Sequence, residues 1–63
     1  MKRCDVCGTD NLPLYYDAAS RSGRWGNFCP ICFPVYCKGN LGTGVGQMFC
    51  WDTDNKRYVK VAG

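Results

Sequence analysis

Cys4-Asp5-Val6-Cys7-Gly8 and Cys29-Pro30-Ile31-Cys32-Phe33, with 21 residues between Cys7 and Cys29, decide how this chain folds. Each Cys-x-x-Cys step brings two sulfurs to one ion from a single tight turn. Two such steps complete the four-thiolate set of a tetrahedral structural metal site. The spacing between the steps slightly exceeds the roughly 15–20 residues usual for this pattern. Cys4, Cys7, Cys29 and Cys32 are therefore the expected ligands of one structural Zn2+ per chain, with iron as the alternative metal. A second quartet, Cys29, Cys32, Cys37 and Cys50, leaves the Cys4–Cys7 step without a purpose. Cys37 and Cys50 are instead expected to pack as small hydrophobes.

The 63 residues make one domain, 1–63. A core that small is usually supplemented by a metal or by disulfides. Six cysteines allow three bridges, but the chain runs from Met1-Lys2-Arg3 straight into Cys4 with no apolar leader,. The expected setting is a reducing cytoplasm, where thiols serve metals more often than bridges. No apolar run approaches the length of a membrane span. The formal charge is +3 with neutral cysteines. Four thiolates remove four charges and Zn2+ returns two, which leaves +1 and no strong long-range pull on phosphate.

Between the cysteine pairs, Leu12, Leu14 and Tyr16 alternate, and Pro13 argues for an edge strand. Residues 18–23 are turn-forming, and Arg24 to Phe28 return as the second strand of a hairpin. Residues 47–51 and 57–61 flank Asp52-Thr53-Asp54-Asn55-Lys56, whose Asp and Asn residues favour a turn and predict a second hairpin. Its expected register sets Phe49 and Trp51 opposite Val59 and Val61, with Met48, Cys50 and Tyr58 on the other face. Trp25, Phe28, Phe49 and Trp51 are the expected core aromatics, and Tyr15, Tyr36 and Tyr58 the exposed ones. The glycines of residues 39–47 allow close backbone approach around the metal lobe.

Two architectures fit this order. The favoured one is a small metal-stabilised α+β or β-rich fold, a treble-clef-like zinc finger. It consists of a zinc knuckle, a β-hairpin, a short helix or turn and a second β-hairpin. Pro30 suits the first position of that helix, while Pro34 requires the helix to be short. The alternative is a rubredoxin-like zinc ribbon with both cysteine pairs in knuckles.

Several activities are disfavoured. A four-thiolate site leaves no open position for water or substrate, and the chain has no histidine and no glutamate to act as general base,. No catalytic motif places Asp5, Asp10, Asp17, Asp52 or Asp54, so the protein is expected not to be an enzyme. Cys29-Pro30-Ile31-Cys32 has the form of a redox dithiol but lacks the βαβ context. Gly39 and Gly44 have phosphate-loop spacing, yet Val45 and Gly46 occupy the Lys and Ser/Thr positions.

Cys4-Asp5-Val6-Cys7-Gly8, Tyr16-Asp17, Trp25 and Cys29-Pro30-Ile31-Cys32 resemble parts of the rubredoxin pattern, which implies an iron electron carrier. Phe33 stands where the second knuckle's glycine belongs, and the acidity of a rubredoxin is missing. Cys4-x-x-Cys7-Gly8, Asp17, Gly23-Arg24-Trp25, Cys29-x-x-Cys32 and Leu41-Gly42-Thr43-Gly44-Val45-Gly46-Gln47 resemble small zinc-binding proteins encoded by bacteriophages and prophages. That resemblance implies a metal-stabilised accessory protein in the host cytoplasm, and no activity. The expected function is a non-catalytic adaptor that engages a protein partner. The alternative is nucleic-acid binding through Lys56, Arg57, Lys60 and exposed tyrosines.

Overall fold

Leu14–Ala19 and Trp25–Phe28 form strands β1 and β2, joined by a turn that the chain's small polar residues close. Ser20 N–H donates to Arg24 O at 2.7 Å, and Gly23 N–H to Ser20 O at 2.9 Å, with Gly23 at φ +91°. A single helical turn, α1 at Cys32–Tyr36, follows. Strands β3, Gly46–Asp52, and β4, Arg57–Ala62, complete the fold. The computed structural model describes residues 2–63. All neighbouring strands are antiparallel, in the order β2-β1-β3-β4, so the two hairpins share one sheet.

The two faces of the sheet are covered differently. Tyr16, Ala18 and Phe28 lie on one face by strand alternation,. There Phe33 of α1 stacks on Tyr16, with ring centroids 3.9 Å apart and planes 7° from parallel. The other face carries an aromatic cluster. Tyr15 stacks on Phe49 at 5.2 Å and meets Tyr58 edge-on at 4.8 Å, while Trp51 meets Tyr58 at 5.0 Å. The Tyr58 hydroxyl donates to Leu12 O and accepts from Lys2 N–H, which ties the N-terminal segment to β4. The buried core comprises Cys4, Leu12, Tyr15, Ala18, Phe28, Cys29, Cys32, Phe33 and Cys37. Cysteine thus makes up a large share of the interior.

Five expectations are corrected by this arrangement. β1 is an interior strand, not an edge. Pro13 precedes it and offers its carbonyl to Trp51 N–H at 2.8 Å, so the missing amide costs the ladder nothing,. In the second hairpin Trp51 faces Tyr58 and Phe49 faces Lys60, one residue out of the expected register. The turn occupies residues 53–56 with Lys56 at φ +53°, and a bulge at Met48/Phe49 displaces Val61. Such a slip exchanges faces, which puts Tyr58 with the aromatics. Tyr15 is buried rather than exposed, whereas Trp25 is 54% exposed at the end of the edge strand. The glycine-rich segment approaches β1, not the metal lobe: a Cβ on Gly46 would stand 2.8 Å from that of Ala18.

The helix is short, as Pro34 requires, but starts at Cys32 rather than Pro30. Pro34 then falls within the first turn, where amides largely lack helical acceptors, so its absent N–H is tolerated. Phe33 N–H still reaches Cys29 O, and Cys37 N–H reaches Phe33 O, both at 2.9 Å. Among the described residues no helix is long and apolar enough to cross a membrane.

Candidate metal centre

The first cysteine pair is held by a compact knuckle. Gly8 N–H donates to Cys4 O at 3.0 Å and Cys4 N–H to Thr9 O at 2.9 Å, which turns the chain sharply around residues 5–7. Gly8 adopts φ +78°, a left-handed conformation that a side chain would strain,. Leu12 N–H closes the loop on Lys2 O at 3.0 Å. Asp5 ties the knuckle to β2: its N–H donates to Asn27 O at 2.9 Å, and its carboxylate accepts Asn27 N–H at 2.8 Å. Gly26 leaves room for that carboxylate, since a Cβ there would lie 2.9 Å from it.

The second pair sits where β2 gives way to α1. Cys29 directly follows the strand, residues 30–31 turn, and Cys32 opens the helix, so the second pair spans the turn that leads into α1. Cys32 N–H points at the Cys29 sulfur at 3.4 Å.

The ligand atoms of Cys4, Cys7, Cys29 and Cys32 all lie within 4.8 Å of one another. The sulfurs of Cys7 and Cys29 are 3.8 Å apart. A tetrahedral ion with metal–sulfur bonds of about 2.3 Å needs sulfur–sulfur edges of about 3.8 Å. A disulfide would need about 2.05 Å, and all six cysteines are free thiols,. The four side chains therefore fit a metal ion, which would tie the knuckle to the strand–helix junction. Cys37 and Cys50 stand outside the cluster. Cys37 is fully buried, as its reading as a small hydrophobe requires, and Cys50 is half-buried.

The thiols are electrostatically unequal. Burial pushes Cys4 upward, but amide hydrogen bonds from Cys7, Cys29 and Val6 together outweigh it and bring the thiol down to about 6. The Thr9 hydroxyl, 3.1 Å from the Cys7 sulfur, and the Thr9 amide lower Cys7. Burial, followed by the neighbouring sulfurs of Cys29, Cys4 and Cys7, pushes Cys32 up to about 12. Four adjacent thiolates repel one another unless a cation sits among them.

Asp5 and Thr9 have structural parts that spacing alone did not reveal. The available signals were a carboxylate inside the Cys-x-x-Cys turn and a hydroxyl two residues after its second sulfur. Trp25, expected in the core, instead borders a groove of about 540 Å³. Of the residues suited to nucleic acid, Lys56, Arg57 and Lys60 are exposed on the second hairpin. Tyr15 and Tyr58 are committed to the aromatic cluster, and only Tyr36 presents an exposed ring. Compared with protein-family models, curated proteins and solved structures, the chain finds no match.

Proposed function

We propose that this protein is a non-catalytic, zinc-stabilised binding module that engages a protein partner. The observation that carries the reading is the convergence of four sulfurs within 4.8 Å, two from a knuckle and two from a helix start. Such a set fills every position of a tetrahedral ion, so the metal would organise the fold without meeting a substrate. Knuckle, hairpin and helix follow one another in the order of a treble-clef finger, and the proposal places the chain with that class. The motif resemblance extends the proposal to an accessory protein of a bacteriophage or prophage acting in the host cytoplasm.

Energetics favour a structural part for the metal. Leu12, Tyr15, Phe28 and Phe33 are the large apolar side chains in the buried core. Each contributes about 1.5–3 kcal/mol. A structural zinc in a small finger supplies about 10–16 kcal/mol near neutral pH. One ion would thus match all four side chains together.

Native mass spectrometry with and without a strong chelator tests the reading. One zinc per chain, with loss of structure on its removal, is the expected result. One iron would move the protein to electron transfer, since iron and zinc both accept four thiolates. A metal-free folded chain would end the proposal.

A further inference from the structure

Trp25, Val35 and Tyr36 are 54%, 61% and 47% exposed, and all three line the 540 Å³ groove. Val6 of the knuckle and Phe28 of β2 complete its apolar lining. The groove is built from the same parts as the metal centre: the knuckle, the edge strand and the helix that opens at Cys32. Its remaining wall is the β1–β2 turn, which contributes Arg21 and Arg24. Arg21 Nε donates to Cys37 O at 3.2 Å, which steadies that guanidinium and leaves its terminal N–H groups for an anion,. Asp5 is the one carboxylate in the lining, and it is engaged by Asn27 N–H.

The edge of the sheet adds a directional element. β2 is the outermost strand. Asn27 turns both of its backbone groups away from β1, toward Asp5. In an antiparallel ladder Trp25, two residues earlier, turns its N–H and C=O the same way, onto the open edge beside the groove. A polypeptide can pair with these groups, whereas a nucleotide backbone offers no matching donor and acceptor.

Resting on the binding-module reading, we propose that this groove docks an extended acidic peptide segment of the partner. An apolar side chain of that segment seats among Val6, Trp25 and Val35, its backbone pairs with Trp25, and its carboxylates meet Arg21 and Arg24. Apolar walls with an arginine rim match such a segment in both hydrophobicity and charge. Bases could stack on Trp25 and Tyr36, but two arginines neutralise few phosphates, and the open strand edge at Trp25 favours a polypeptide,.

A displayed random dodecapeptide library, selected on the zinc-loaded protein, tests this. Enriched peptides are expected to combine acidic residues with an aromatic or aliphatic anchor. Their affinity should fall at least about tenfold on Arg24→Glu and on Trp25→Ala. Both residues are exposed, and unchanged zinc content and circular dichroism would certify each variant. Enrichment without acidic residues, equal capture by the variants, or no enrichment would overturn the groove. A thymidine-tract oligonucleotide whose binding is lost in both variants would overturn it in favour of nucleic acid. Peptides whose binding is lost on Trp51→Ala and not on Trp25→Ala would refute the groove yet keep the binding-module reading, which itself falls if no zinc is bound.

Discussion

Cys4 is the most buried of the four cysteines, and its sulfur is supported by amides of Cys7, Cys29 and Val6, so replacing it removes both a candidate ligand and a packed core side chain. Cys4→Ser is expected to abolish stoichiometric zinc binding and unfold the chain, because a metal worth about 10–16 kcal/mol rivals the whole stability of a small domain. Zinc stoichiometry and circular dichroism measure this, and a folded, fully metallated variant would exclude Cys4 as a ligand. Cys37→Ser separates packing from ligation. Burying a hydroxyl in place of that thiol should cost about 1–3 kcal/mol in urea unfolding while leaving the zinc content at one. Acid should act through the ligands themselves. In the metal-free, unfolded chain the four ligands are ordinary thiols, protonated below about 8.5. Metal uptake must then expel the protons of Cys4, Cys7, Cys29 and Cys32, so affinity rises with pH. Chelator competition between pH 8 and pH 5, on the order of three pH units, reads that slope, and a flat profile would show that these thiols do not bind the metal. The convergence of the four sulfurs was legible from spacing alone. The Asp5 and Thr9 contacts were not, because they depend on how the knuckle lies against β2.

At the scale of elements, the meeting of β1 and β3 turns on a pair of small residues. Ala18 and Gly46 are cross-strand partners, and a Cβ at Gly46 would stand 2.8 Å from that of Ala18. Gly46→Ala should therefore pry the two hairpins apart at one point and cost about 1–3 kcal/mol, as overpacking does in other cores. Thermal unfolding of the zinc-loaded protein measures it, and an unchanged midpoint would mean the strands adjust freely. The same junction shows what sequence could and could not disclose. Both hairpins and the short helix follow from alternation, turn residues and Pro34, all of which act locally. Their union into one sheet depends on the pairing of β1 with β3, from Leu14 beside Cys50 to Ala18 beside Gly46, between residues far apart in the chain. Register failed for a related reason. Asp52 accepts hydrogen bonds from Asp54 N–H, Asn55 N–H and Asn55 Nδ2, so the turn starts at Thr53, one residue later than composition implied, and is one residue shorter. Tyr58 was thereby turned onto the Tyr15 face, where its hydroxyl found Leu12 O.

The whole molecule joins its two layers through the N-terminal segment. Lys2 and Leu12, at either end of the knuckle, both bond the Tyr58 hydroxyl on the aromatic face. Cys4 and Cys7, between them, face the sulfurs beside α1 on the side where Phe33 covers Tyr16. Releasing the metal frees the knuckle and with it the clamp on Tyr58, so disorder should cross the sheet rather than stop at the metal lobe. Chelation is accordingly expected to unfold the protein as one unit. Near-UV circular dichroism from Trp51, which packs on Tyr58 away from α1, should vanish together with the far-UV strand signal and the zinc. Restored zinc should return all three. A Trp51 signal that survives chelation would show that Tyr15, Phe49, Trp51 and Tyr58 hold the sheet unaided, and the metal would then order only the knuckle and α1. The coupled outcome would make the groove beside Trp25 metal-dependent too, because its walls are the very segments that the four sulfurs draw together.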